Sequence, residues 1–303
     1  MATAMPTPAT IDYAGGTLAR EQVSLWRDGI RRLRRNKLAL GAAIYLGFLA
    51  LVCLVSIFWT PYKPNVIGTC ETYQLPSAAH PLGCDDLGRD SLSRLMVGSQ
   101  VSLSVGLATA IIVLGVGVVV GLIAGYFRGA ADAIVSLGIN IFYGVPPLLV
   151  AVALYVLLGS GLINIIIAIS ATVWMDMARL ARGQALSIRE REFIEAARAG
   201  GARWGKILFG HILPNALGPI IVQATFVIPV AILTAAFLSF LGFGVPPPKA
   251  DWGGMANEGL PSLQGGFDPY ILLFPALALS ITLLAFNFFG DGLRDAFDPR
   301  QKR

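Results

Sequence analysis

The chain has 303 residues, of which 55% are hydrophobic and 14% are charged, with a formal net charge of +5. This composition excludes a soluble globular protein, because soluble domains carry about 25% charged residues. Three cysteines exclude a disulfide-dense scaffold, and two histidines are too few for a metal cluster. An all-α, polytopic membrane protein is therefore expected.

Uncharged stretches predict six transmembrane helices, since a spanning helix needs about 20 apolar residues. The first helix is expected at 38–60, after a polar and then basic segment at 1–37. No signal-peptide cleavage site is found there, so this helix is predicted to be an uncleaved anchor. The other five lie in a predicted core at 101–292, where the glycine-rich turn at 159–161 separates the third and fourth. A C-terminal tail follows at 293–303.

The positive residues predict the orientation of these helices. If both termini are cytoplasmic, 19 of the 23 Lys and Arg residues lie on the cytoplasmic side, as the positive-inside rule requires. The net positive charge is then a topology signal and a contact with anionic lipid, and no nucleic-acid partner is expected.

The predicted extracytoplasmic loop at 61–100 has two features of its own. Its last part, 88–100, carries apolar residues at helical spacing among charges, which predicts a short helix lying in the membrane interface. Cys70 and Cys84 share the loop in an oxidising compartment, so they form a disulfide or remain two unpaired thiols. The next outside loop brings two aromatic residues that are expected at the lipid interface, Trp252 and Tyr270.

Two patterns within the spans predict how the helices pack. Gly117, Gly121 and Gly125 recur at every fourth residue of the second span, which predicts a face packed closely against another helix. Pro146 and Pro147 are adjacent in the third span and predict a kink there, because proline removes a backbone donor.

Polar side chains within spans are costly and are candidates for a solute path by default. The path candidates are Asn140, Tyr143, Gln223 and Asn287. Each has an alternative role as an interhelical hydrogen-bonding residue. Asp176 and Arg179 are three residues apart and are predicted to form a local or intersubunit ion pair.

The cytoplasmic segment at 189–215 is predicted to form an amphipathic helix, a break at 200–201, and a second short helix that ends before the fifth span. A stripe of apolar and small residues recurs mostly at steps of three and four: Phe193, Ala197, Gly200 or Gly201, Trp204, Ile207 and Leu208. Glu195 follows Arg191 by four residues and precedes Arg198 by three, which predicts local ion pairs. Amphipathicity by itself describes only an ordinary surface helix.

A motif within this segment resembles the EAA loop of bacterial ABC importer permeases. The matching residues are Glu195, Ala196, Ala197, Gly201, Leu213 and Pro214. In that family the loop forms a coupling helix that docks into a cleft of the ATPase subunit, so the resemblance assigns ATPase coupling to these six residues. Further stretches at 80–94, 238–248 and 286–299 resemble the second permease subunit of dipeptide and oligopeptide importers. The resemblance covers residues 25–300 and implies the fold of a type I ABC importer transmembrane domain.

The resemblance also implies a function and partners. The chain would be a non-catalytic permease subunit that imports di- or oligopeptides across the bacterial cytoplasmic membrane. It would pair with a homologous permease subunit, two ATPase subunits that bind ATP and Mg, and an extracytoplasmic solute-binding protein. No cofactor or metal is expected in this chain, which has no Gly-x-x-x-x-Gly-Lys-Ser/Thr phosphate loop.

Three alternative functions remain open at this point. A permease of the same family could carry a nickel chelate, glutathione or another small solute, and Leu137, Asn140 and Ala235 stand where the family often has charged residues. A membrane-embedded enzyme needs paired carboxylates, histidine or a nucleophile within the spans. An autonomous secondary carrier has internal repeats and charged ion sites. The sequence favours neither of the last two.

Overall fold

The computed structural model describes residue 31 and the ranges 33–265 and 269–297. Most of the predicted N-terminal segment at 1–37, and the end of the predicted tail at 293–303, lie outside the described residues. Regular structure in the described ranges is helical, without a β-strand. The helices are α1 (Lys37–Phe58), α2 (Ser91–Phe127), α3 (Gly129–Tyr143), α4 (Pro147–Leu158), α5 (Leu162–Ile188), α6 (Glu192–Ala199), α7 (Trp204–Ile207), α8 (Leu213–Phe240), α9 (Trp252–Glu258), α10 (Leu260–Gln264) and α11 (Tyr270–Phe297).

Five helices of the described ranges are long and apolar enough to cross a membrane: α1, α2, α5, the continuous helix Trp204–Phe240, and α11. The helices α3 and α4 form a pair bent by 90°, which gives a sixth span if the pair crosses as one. The bend falls at the predicted proline kink. Pro147 begins α4, and Pro146 before it has a ψ of 123°, because a residue that precedes proline is disfavoured in the helical region.

When α3 and α4 are counted as one span, consecutive spans alternate in direction, so their connections lie at two opposite ends of the bundle. The basic end holds the turn between α2 and α3 together with residues 189–215, and Arg128 and Glu190 form an ion pair between them. The loop end holds the connection at 59–90 and the described part of the next one, 241–265.

The helices α2 and α5 pack closely, and the predicted glycine face is confirmed at their contact. Gly117, Gly121 and Gly125 all face α5. A Cβ atom at Gly125 would lie 2.6 Å from the carbonyl oxygen of Arg182 and 2.7 Å from the Cβ of Ala185. Larger residues on this face would therefore force the two helices apart.

The beginning of α2 differs from the prediction. Residues 88–100 do not form a separate interfacial helix, because α2 runs unbroken from Ser91 to Phe127. Asp90 caps its first turn by accepting a hydrogen bond from the backbone N–H of Ser93 at 2.8 Å. The prediction treated Arg94 as an interfacial charge, whereas this side chain is 1% exposed and is ion-paired inside the protein.

The prediction that Trp252 and Tyr270 lie at the lipid interface is wrong, since they are only 1% and 7% exposed. The indole N–H of Trp252 donates to the carbonyl of Leu95 at 3.1 Å. The hydroxyl of Tyr270 donates to the carbonyl of Gln74 at 2.6 Å. Both polar groups are satisfied inside the protein by segments distant in sequence, which hydropathy alone does not reveal.

Cys70 and Cys84 are joined by a disulfide in this structure. The bond lies within the connection at 59–90, and Cys84 is fully buried. Gly83 beside it has a φ of +69°, and a Cβ atom there would lie 2.6 Å from the ring of Tyr270. This turn therefore requires glycine, both for its backbone conformation and for the approach of the ring.

Candidate functional site

Residues 189–215 begin with α6, and one buried side chain attaches this helix to the bundle. Ile194 is 0% exposed and belongs to the main hydrophobic cluster of the basic end. The cluster also contains Ile188, Ile207, Leu208 and Ile212. The apolar stripe predicted from the sequence is therefore only partly correct, because Ile194 rather than Phe193 faces the protein.

The end of α6 is a Schellman motif that depends on Gly201. The helix ends at Ala199, after which the N–H of Gly201 donates to the carbonyl of Arg198 at 2.9 Å. The N–H of Ala202 donates to the carbonyl of Ala197 at 3.0 Å. Gly201 has a φ of +76°, and a Cβ atom there would meet nothing within 4 Å. Glycine is therefore required at position 201 by the backbone conformation, and not by a close neighbour.

The second short helix does not end before the fifth span, contrary to the prediction. Helix α7 continues through a π-helical turn at Leu208–Ile212 into α8 as one helix. Pro214 has no N–H to complete the regular pattern, and a wider turn relieves the clash of its ring with the preceding turn. The side-chain amide of Asn215 donates to the carbonyl of His211 at 2.7 Å. Leu213 and Pro214 thus connect residues 189–215 directly to a spanning helix.

Three large apolar side chains and one carboxylate of this segment are exposed. We define the basic-end surface as Phe193, Glu195, Ala196, Trp204 and Phe209, all of which are exposed. The exposed fractions of the three aromatic side chains are 40%, 52% and 49% in chain order. Large apolar groups left exposed together are typical of a protein interaction site.

The ion pairs predicted for Glu195 are absent, because its carboxylate has no charged partner within the described ranges. Arg198 instead lies over the ring of Tyr126, with its guanidinium carbon 5.4 Å from the ring centroid. Arg189 contacts the same ring at 5.9 Å. Burial lowers the pKa of the Arg189 guanidinium below its usual value, and the nearby charges of Arg128 and Arg198 lower it further. Glu195 remains free for a partner.

The end of α2 also contacts residues 189–215. The ring of Phe127 packs against the indole of Trp204 with centroids 5.6 Å apart. The adjacent Arg128 pairs with Glu190, and both side chains are about half exposed. A displacement of the basic-end surface must therefore move α2 or break these contacts.

The structure does not bring the four path candidates together. Asn140 lines a cavity of about 400 Å³ between α3 and α5. Gln223 lines a separate cavity of about 580 Å³ between α5, α8 and α11. Asn287 is exposed on α11. The fourth candidate, Tyr143, is exposed near the end of α3.

Tyr143 contacts both members of the predicted ion pair. Its hydroxyl donates a hydrogen bond to Asp176, and the guanidinium carbon of Arg179 lies 4.3 Å from the centroid of its ring. The prediction of an ion pair within the chain is wrong, because the two charged groups do not approach within 4 Å. Each contacts the tyrosine instead.

A buried charge network at the loop end was not predicted. The carboxylate of Glu258 accepts from Arg94 at 2.6 Å and from Arg89 at 3.0 Å. Asp85 pairs with the same two arginines at 3.3 and 2.6 Å. Burial raises the pKa of Glu258, although the two arginines act to lower it. A charge is costly in an apolar chain unless it is paired, so the charges at 85–94 were a signal of ion pairing. The sequence does not identify their partners.

The helix bundle, its exposed basic-end surface and its paired loop-end charges define a multi-pass α-helical membrane protein. Residues 117–303 match the model of the family described as binding-protein-dependent transport system inner membrane component. Residues 24–80 match the N-terminal transmembrane domain of oligopeptide transport permease C. The chain belongs to the family of binding-protein-dependent transport system inner membrane components.

Individual relatives match over nearly the whole chain. The oligopeptide transport system permease protein OppC of Bacillus subtilis (strain 168) is 41% identical, over 94% of this chain and 93% of its own length. The dipeptide permease DppC of the same organism is 42% identical over 95% of this chain and 89% of its own. The glutathione permease GsiD of Pectobacterium atrosepticum is 38% identical over 91% of this chain and 92% of its own length.

A solved structure supports the fold. The inward-facing methionine ABC transporter MetNI superposes with a TM-score of 0.56 over 68% of this chain and 96% of that chain, at 23% identity. At that identity the likeness concerns the fold alone. This structural similarity confirms the predicted fold of a type I ABC importer transmembrane domain.

Proposed function

We propose that this chain is the permease subunit of an ATP-driven importer that carries di- or oligopeptides into the cytoplasm. The observation that carries the proposal is the 41% identity to an oligopeptide permease over 94% of the chain. The family models match residues 24–80 and 117–303, and the second range includes the six coupling residues.

The subunit pairs with a homologous permease subunit, with two ATPase subunits at the basic end, and with a solute-binding protein at the loop end. The placement of 19 of the 23 Lys and Arg residues supports an orientation with the basic end and both termini in the cytoplasm. ATP and Mg are bound by the ATPase subunits. This chain performs no chemistry itself.

The basic-end surface receives the ATPase subunit. Glu195 and Ala196 are exposed on α6, and Gly201 sets where that helix ends. Movement of α6 reaches α2 through Tyr126, and it reaches α8 through the unbroken helix that contains Pro214. Closure of the two ATPase subunits then changes the angle of the spanning helices and opens the path to the loop end.

Reconstitution of the complete complex tests this function. The chain is co-purified with its permease partner, ATPases and binding protein, and ATP-dependent accumulation of a labelled tripeptide is measured in proteoliposomes. Accumulation that requires ATP and the binding protein supports the proposal. Import of a different solute without import of any peptide contradicts it.

Glutathione is the second candidate substrate, because a glutathione permease is 38% identical over 91% of the chain. The two candidates are separated by competition in the same proteoliposomes. An excess of glutathione leaves uptake of an α-linked tripeptide unchanged if peptides are the substrate. If glutathione is the substrate, labelled glutathione accumulates in an ATP-dependent manner and the α-linked tripeptide does not.

A further inference from the structure

Arg179 carries a charge without a counter-ion in a spanning helix. Among the described residues it makes no ion pair and no hydrogen bond, and its one aromatic contact is with Tyr143. The side chain is exposed on α5. Arg179 lies in the half of this helix nearest the basic end, and a charged group on a spanning helix faces away from hydrocarbon because exposure to it is costly. This face of α5 therefore borders water or another protein.

Tyr143 fixes the position of the arginine. Its ring lies 4.3 Å from the guanidinium carbon, which is within the range of a cation–π contact. Its hydroxyl bonds to Asp176, so that carboxylate pairs with the tyrosine rather than with Arg179. The guanidinium is held in place while its N–H donors remain unused.

Arg179 faces a cavity of about 400 Å³ between α3 and α5. The other residues that line it are Ser136, Ile139, Asn140 and Arg182. Arg182 is already neutralised by Asp132, with an N–O distance of 2.9 Å for one of the two contacts. The hydroxyl of Ser136 donates to the same Asp132 at 3.5 Å, so the groups left to act on a solute are the free guanidinium of Arg179 and the side-chain amide of Asn140.

We propose that this cavity is a subsite for the α-carboxylate of the transported peptide, bound by Arg179 and Asn140. A guanidinium binds a carboxylate through two parallel hydrogen bonds. An unmodified peptide carries this carboxylate whatever its sequence, so the subsite would serve a permease for varied peptides. The inference rests on the proposed import function and adds the chemical group that the chain recognises.

Protection of a single cysteine tests the subsite without relying on transport. The complete complex, without ATP, carries the nearly isosteric Ser136→Cys in this chain, together with Cys53→Ala to remove its free thiol. The rate of alkylation at position 136 is measured with a tripeptide as free acid and with the same tripeptide as C-terminal amide. Only the free acid is expected to slow alkylation. Adding Arg179→Gln should raise the half-protecting concentration about tenfold or more, as for loss of a charged hydrogen bond.

Two controls and three outcomes complete the design. Arg294→Gln removes an equal charge beside the other cavity and should leave protection unchanged, and Arg179→Lys should restore it in part. Equal protection by acid and amide, or no protection by either, overturns the subsite. The subsite is also overturned if the cysteine at position 136 is not alkylated even without peptide, because a partner subunit then covers the cavity. Tripeptide uptake in wild-type proteoliposomes tests the import function separately.

Discussion

The indole of Trp204 packs on the ring of Phe127, with centroids 5.6 Å apart and ring planes inclined by 59°. Trp204 begins a helix that continues without interruption to Phe240, and Phe127 is the last residue of α2. One aromatic contact thus joins the basic-end surface to two spanning helices. Movement of the surface can reach the bundle by both routes.

Gly201→Ala is expected to impair coupling without preventing membrane insertion. The substitution places an L-residue at a φ of +76°, which costs about 1–2 kcal/mol and favours a different end for α6. Peptide uptake and its stimulation of ATPase activity should both fall several-fold. The matched control is Gly205→Ala, in the same segment but helical and equally free of neighbours, where alanine is favourable. Equal effects of the two variants would contradict the conformational role of Gly201.

Glu258→Gln should destabilise the loop end. It removes a charged partner from Arg94, whose side chain is 1% exposed, and breaking a buried pair costs about 3–5 kcal/mol. We expect a loss smaller than this range, because the side chain of Glu258 is 31% exposed and Asp85 remains 3.3 Å from the same arginine. Thermal unfolding in nanodiscs measures the change. Glu190→Gln breaks an exposed pair with Arg128 and should cost less than about 1 kcal/mol; a comparable loss there would show that burial is not the cause.

Cys70 and Cys84 should resist alkylation until a reductant is added. The disulfide closes a loop with a sequence separation of 14, for which chain entropy predicts about 3 kcal/mol of stabilisation. Double substitution to serine should lower the Tm, whereas Cys53→Ser, at the unpaired cysteine, should change it little. Mass spectrometry that finds both thiols modified without reductant would contradict the disulfide.

Asp251 gives the stability of the loop end a dependence on pH. It caps α9 by accepting from the N–H groups of Gly253 and Gly254, both at 3.0 Å, and burial raises its pKa. An acid whose folded-state pKa is raised stabilises the fold fully below its unfolded pKa of about 3.9, and this contribution is lost as pH rises through the folded value. Asp251→Asn keeps a good cap and does not titrate. The Tm of the wild type, relative to this variant, should therefore fall as the pH rises above about 4; parallel curves would contradict the prediction.

Local patterns predicted most of the spans and several close contacts. The four-residue glycine period predicted the packing of α2 on α5, and two prolines predicted the break between α3 and α4, because both effects act within one or two turns. The motif from Glu195 to Pro214 located the exposed segment. These features are encoded by neighbouring residues.

The remaining features depend on residues that are distant in sequence. Glu258 pairs with Arg94, 164 residues earlier, and Trp252 donates to Leu95, so a charge and a ring that were predicted at the membrane interface are buried. Tyr143 displaces the expected pair of Asp176 with Arg179. Hydropathy assigns these residues to a depth in the membrane, but it carries no information about which helix lies beside them.

Contact between the basic-end surface and an ATPase subunit is the central claim, and photocrosslinking tests it most directly. A benzophenone amino acid replaces Ala196, which is exposed on α6, and in a control it replaces Leu157, which is 80% exposed at the other end of the bundle. Membranes that contain the complete complex are irradiated, and the products are identified by mass spectrometry. The account predicts a product with the ATPase subunit from position 196 and none from position 157. No ATPase product from position 196, in a complex that still imports peptide, would contradict it.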